Sequence, residues 1–174
     1  MSSPAKAIYD ADRYRRLRDE RAKNQPPDPI ATLSTEERAY IAGLVDGEGS
    51  IYVAAVGPNR HRTTYPIVVV AMTHRPVIAW LAERLAAGTV KLHNHTRVRR
   101  DPNLKPQYRT QLFGKRARLL CEALLPYLKV KTEQARLVTT FPVEARVAPG
   151  AKIALTSINE TRYRLRDQIN ALNH

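Results

Sequence analysis

Between Thr35 and Val56 the apolar spacing of the chain changes from helical to extended. Ile41, Leu44 and Val45 recur at steps of three and four, the stripe of a helix packed on a core, and from Ser50 the chain reads Ser-Ile-Tyr-Val, the start of a strand. Ser34 and Glu37 have the spacing of a capping box, so the helix is predicted to begin at Thr35. Its second stripe is Tyr40, Gly43 and Gly47. A glycine in a helix interior costs about 1 kcal/mol against alanine, and is tolerated where something must come very close. A second helix backbone would fit there. At the exit, Gly47 and Gly49 flank Glu48, whose carboxylate is placed where the helix gives way to the strand.

The remaining elements follow from similar patterns. Ala7 to Lys23 reads as a helix with mixed charges and only a thin apolar stripe, and the prolines at 26, 27 and 29 make the following stretch an extended linker. Residues 1–33 therefore form an N-terminal extension, and residues 34–174 the main domain. Ser50–Val56 and Thr63–Met72 form a hairpin around Gly57-Pro58-Asn59, with Pro66 implying a bulge or a position whose missing N–H faces away from the partner strand. Pro76 opens a helix that Gly88 closes. In a third strand, Thr89–Arg99, the side chains Lys91, His93, His95, Arg97 and Arg99 occupy every second position. In a fourth, Gln107, Arg109 and Gln111 alternate with Tyr108, Thr110 and Leu112. Lys115–Leu125 is predicted as a helix, a second runs from Pro126 through Lys129 and Lys131 to Val138, and a last one covers Ser157–Leu172. The order is αββαββα plus helices, an α+β chain with an antiparallel sheet.

Charge sharpens this picture. The net charge is +13, and residues 50–118 alone carry thirteen Lys and Arg against two Asp and Glu. A basic excess concentrated in the segment after residue 49 calls for a polyanionic partner. Arg and Gln on a sheet face can reach bidentately to guanine and adenine edges. The His93/His95 spacing also permits a metal pair, but no nearby acid or third ligand accompanies it. The single cysteine, Cys121, lies in an apolar run and is expected to be a buried hydrophobe. No apolar run reaches the length of a membrane span and no positive-then-apolar signal opens the chain, so an intracellular protein is expected, in cytoplasm, nucleoid or organelle.

Ile41-Ala42-Gly43-Leu44-Val45-Asp46-Gly47-Glu48-Gly49 resembles the LAGLIDADG signature of homing endonucleases, with Ile for the first Leu, Val at position five and Glu for the commoner Asp at position eight. The resemblance spans roughly Thr35 to Asn173. It implies a saddle whose antiparallel sheet rides in the major groove of double-stranded DNA, and motif helices that pack in pairs at their small residues. With one motif per chain it implies a homodimer through Tyr40, Gly43, Asp46 and Gly47. The eighth-position acids would then meet at the scissile phosphates and bind divalent metal, magnesium, so that Glu48 is the metal-binding catalytic acid and the Gly47 carbonyl an additional ligand. Lys131 falls where charge is stabilised or the water tuned, and His74 where a water-positioning group is usual. The family's next basic position falls on Ile78, which leaves that role vacant or passes it to Arg75. DNA contacts are expected from Ser50, Tyr52, Arg60, Arg62, Lys91, His93, His95, Arg97, Arg99, Gln107, Arg109 and Gln111. The implied activity is site-specific double-strand cleavage at a long pseudopalindromic target, of the intron- or intein-homing type. An intron RNA splicing maturase, and a non-catalytic DNA-binding regulator expected to lose the acid, are the alternatives.

Overall fold

The capping box forms as the spacing predicts. Ser34 Oγ accepts the Glu37 N–H at 3.2 Å, and the Ser34 N–H donates to Glu37 Oε2 at 2.8 Å, which starts helix α1 (Thr35–Glu48). In this computed structural model the described residues are 26–56, 63–92, 101, 103–143 and 152–173, together with Arg13, Arg16 and Glu20. Most of the predicted N-terminal helix therefore lies outside the described residues.

Helix α1 leads directly into β1 (Gly49–Val56), which is followed by β2 (Thr63–Met72), α2 (Arg75–Arg84), β3 (Lys91–Leu92), β4 (Tyr108–Phe113), α3 (Gly114–Leu124), α4 (Thr132–Thr139) and α5 (Lys152–Ala171). The four strands form one antiparallel sheet in the order β1-β2-β4-β3. The α+β architecture, with helices packed against one face of an antiparallel sheet, is the one the sequence predicts. Ile51, Val53, Val68, Val70 and Leu112 point to the helices and join Ile41, Val45, Ile78, Leu81, Leu120, Leu124, Val138, Phe141 and Ile169 in a single core. Each such side chain, fully buried, contributes about 1.5–3 kcal/mol. Cys121 is in this core, and burial pushes its thiol up to about 12, so it acts as packing.

Pro66 causes no bulge. Pairing between β1 and β2 runs one-to-one from Gly49↔Val70 to Val56↔Thr63, and Pro66 lies just beyond the β2–β4 pairing, which begins at Ile67↔Phe113. The outer edge of β1 is closed by α5. Asn170 accepts the Val53 N–H through Oδ1 (3.2 Å) and donates to the Val53 carbonyl (3.3 Å), while Asn173 donates to the Ile51 carbonyl (3.0 Å). A side-chain amide thus takes the place of another strand and blocks edge pairing.

Two arginines bind the N-terminal segment to the domain. Arg84 reaches Glu37 through Nε (2.5 Å) and Nη2 (2.8 Å) and donates to the Thr32 carbonyl, and Arg116 holds Asp28 while donating to the Leu85 and Ala86 carbonyls at the end of α2. Pro29–Thr32 is a 3-10 turn, and Ile30 and Leu33, on the N-terminal side of the boundary drawn from sequence, are buried in the core. The Arg84 guanidinium, then the Ser34 N–H, hold the Glu37 carboxyl down from 4.5 to about 2. A carboxylate depressed on folding stabilises the fold fully above its unfolded value, and that contribution is lost as pH falls toward the folded one. Melting temperature is therefore expected to drop between pH 4.5 and about 2, and to drop less steeply in Glu37→Gln; equal slopes would remove this pair from the acid transition.

The third strand, expected from Thr89 to Arg99, begins only at Lys91, and residues 93–99 lie outside the described residues; one predicted helix is also corrected. The helix expected from Pro126 starts only at Thr132, and Leu128–Lys131 is non-helical. The backbone N–H groups of Lys129, Val130 and Lys131 are taken by a carboxylate from α1, while that of Leu128 still donates to the Leu124 carbonyl.

Candidate active site and nucleic-acid interface

Glu48 is the last residue of α1 and is exposed. Among the described residues no hydrogen-bond or ion-pair partner is found for its carboxylate. The next residue explains how the chain can turn from helix to strand without a loop. A Cβ on Gly49 would lie 2.7 Å from the Val45 carbonyl oxygen and 2.8 Å from Val45 Cα, closer than side-chain carbons approach backbone, so only glycine fits there. Gly43 and Gly47 differ, since a Cβ at either would meet nothing within 4 Å. Nothing among the described residues requires them to be glycine. They lie with Tyr40, itself half exposed and edge-on to Trp80, on the uncovered side of α1.

Asp46 turns into its own chain. Its carboxylate accepts three consecutive N–H groups, from Lys129 (2.7 Å), Val130 (3.2 Å) and Lys131 (2.9 Å), a nest of converging amides. The Lys131 ammonium returns to the Asp46 carbonyl at 2.5 Å, which places a positive charge at the negative end of α1, two residues from Glu48. Partial burial pushes the Asp46 carboxyl up, but the N–H groups of Lys129, Lys131 and Val130, with the Lys131 charge, outweigh it and bring it below the ordinary value. Asp46→Ala should strand these amides, cost about 2 kcal/mol in a urea melt, and speed hydrogen exchange at residues 129–131. Unchanged exchange there would mean that the loop holds itself.

His74 is exposed at the N-cap of α2 and its side chain makes no cap bond. Ile78 is wholly buried in the core, so no functional side chain occupies that position. Arg75 lies with its guanidinium 5.9 Å from the centre of the Tyr108 ring. On the sheet, Thr110 and Leu112 are buried, and by strand alternation Ser50, Tyr52, Lys91, Arg109 and Gln111 share the opposite, outward face. Gln107 precedes β4 in the same parity and is partly exposed. Arg60, Arg62, His93, His95, Arg97 and Arg99 lie outside the described residues.

No family model matches the chain, and no curated protein does. Solved structures do. The homing endonuclease I-CvuI, in complex with the I-CreI target and magnesium, superposes with a TM-score of 0.61 at 22% identity over 79% of this chain and 82% of that one. An archaeal intron-encoded homing endonuclease complexed with DNA gives 0.54 at 15% over 79% and 92%. The LAGLIDADG homing endonuclease I-GzeII, in complex with its DNA target, gives 0.52 at 12% over 72% of this chain and 43% of that one. The fold is that of the LAGLIDADG homing endonucleases. Within it the nine-residue motif occupies α1 and the first residue of β1, where the sequence resemblance expects it.

Sequence reasoning missed two features of this site. One is the loop-holding role of Asp46, for which an isolated acid carries no local signal. The other is an apolar zone on the outward sheet face; its signal was the run Ile67-Val68-Val69-Val70, which is apolar at both parities and so cannot have one polar face.

Proposed function

We propose that this chain is a divalent-metal-dependent, site-specific double-strand DNA endonuclease of the homing type, acting as a homodimer. The observation that carries the reading is Glu48, an exposed carboxylate with no partner among the described residues, at the end of a helix whose exposed face is lined by two glycines that no described residue requires. The motif occurs once in the sequence, and no group of three or more potential metal ligands occurs among the described residues. That donor set fits a site shared between two copies. The Glu48 carboxylate and Gly47 carbonyl of each copy would hold the cation, and oxygen-only ligation suits magnesium. When bound, such an ion neutralises phosphate charge and acidifies water.

The remaining work falls to the chain. Lys131 keeps an ammonium beside the helix end, where it can offset negative charge on a phosphate. Exposed His74 is available to orient water. The outward sheet face, with Lys91, Arg109 and Gln111, binds the duplex, and basic residues of the 50–118 segment other than the ion-paired Arg84 and Arg116 supply its phosphate contacts. The chain corresponds to 82% of I-CvuI but 43% of I-GzeII, which supports one chain as half of a site. Two-fold symmetry then implies a pseudopalindromic target of roughly two turns of DNA.

The test is incubation of a randomised duplex library with the protein in magnesium, followed by sequencing of the cut ends. Recovery of one pseudopalindrome cut on both strands is expected. Sequence-selective binding without cutting in magnesium would leave a DNA-binding protein, and selective retention of intron RNA over every duplex would favour a maturase.

A further inference from the structure

The outward face of the sheet is divided along its strands. In the rows nearest the motif, Ser50, Val69 and Gln111 lie side by side, and next to them Ala71, Arg109 and Lys91. Toward Val56, the far end of β1, the rows become Tyr52, Ile67 and Phe113, then Ala54 and Tyr65, then Val56 and Thr63. The first two rows carry amide and cationic groups, whereas the last three carry only hydrocarbon, aromatic rings and hydroxyls. Phe113 is 45% exposed and Val56 54%, Tyr65 packs edge-on against Phe113 at 6.1 Å, and Ile67 is 5% exposed although it faces away from the helices. This is a built apolar surface, not a scatter of single residues.

Resting on the endonuclease reading, we propose that this apolar zone reads the C5-methyl groups of thymines in the outer part of each half-site. The thymine methyl is the apolar feature that the major groove displays, and Phe and other apolar side chains are its natural contacts. The zone offers few groups able to satisfy guanine, cytosine or adenine edges, which would lose their water against Phe113 and Val56 without replacement. Duplex DNA is the occupant because the zone is continuous with Gln111, Arg109 and Lys91 on the same face, within the segment that carries most of the positive charge. Its place in the half-site follows from the strands. Ser50 is two residues from Glu48, and Val56 lies about 20 Å further along β1 at the usual strand rise.

Target sequences selected from a random duplex library in calcium should carry thymines at fixed outer positions. Resynthesis with deoxyuridine at one thymine at a time removes only the methyl, and binding by the parent chain should weaken about four-fold at each read position, the effect of one buried methyl group. Phe113→Ser should lose that sensitivity at its own position while keeping the preferences at positions nearest the cut. If the parent chain binds its selected sequence tightly and is indifferent to deoxyuridine throughout, this inference is overturned and the endonuclease reading stands. If no duplex is bound or enriched, both fall. The deoxyuridine series on the parent chain decides the question even where a variant fails to fold.

Discussion

Glu48→Gln is expected to bind target DNA at least as tightly as the parent chain in calcium and to leave both strands intact in magnesium. The substitution keeps the size and hydrogen-bonding capacity of the side chain and removes its charge. Because Glu48 is exposed and has no partner among the described residues, the fold loses nothing, and the melting temperature should not change. Removing an acid beside a polyanion relieves repulsion, so binding should not weaken. With one acid per chain, both halves of a shared site lose their charge together, and cleavage should fall by several orders of magnitude, the scale on which metal activation of water acts. A gel shift and a cleavage assay on the same DNA separate the two effects. Double-strand cutting retained by this variant would remove Glu48 from the chemistry.

The parts legible in the sequence were those set locally. The capping box, the core stripe Ile41-Leu44-Val45 and the hairpin of β1 and β2 each depend on residues a few positions apart, and each forms as spacing and alternation require. Elements fixed by distant partners were not legible. Pro126–Lys131 has the composition of a helix start, yet Asp46, more than eighty residues earlier, accepts the N–H groups of Lys129, Val130 and Lys131 and holds the segment open. The Pro-rich stretch before residue 34 resembles a free linker, but Arg84 and Arg116 fasten it from two helices. At the site, the motif identified the position of Glu48 at the helix exit. The period-two basic pattern placed Arg109 and Gln111 on the outward face correctly, but it said nothing of β2, whose outward residues Tyr65, Ile67 and Val69 occupy the middle of that face.

Gly43→Leu and Gly49→Ala should fail in different ways, because the two glycines answer to different neighbours. At Gly49 an added Cβ meets the Val45 backbone at 2.7–2.8 Å, and the Gly49 N–H itself donates to that Val45 carbonyl. The last turn of α1 cannot retreat without breaking the bond, so Gly49→Ala should cost about 3 kcal/mol, the upper end of ordinary overpacking, and lower the melting temperature at every protein concentration. At Gly43 an added Cβ meets nothing within 4 Å among the described residues, and replacing glycine by leucine in a helix gains about 0.8 kcal/mol of helix propensity. The fold of a Gly43→Leu chain should therefore be as stable as the parent's or slightly more so. Its association should be lost, because a leucine between two closely approaching helix backbones forces them apart. Sedimentation is expected to give a dimer for the parent and a folded monomer for Gly43→Leu, with cleavage gone because each acid has lost its counterpart. A Gly43→Leu protein that remained dimeric would move the interface away from the face of Tyr40, Gly43 and Gly47, and with it the meeting point of the two Glu48 carboxylates.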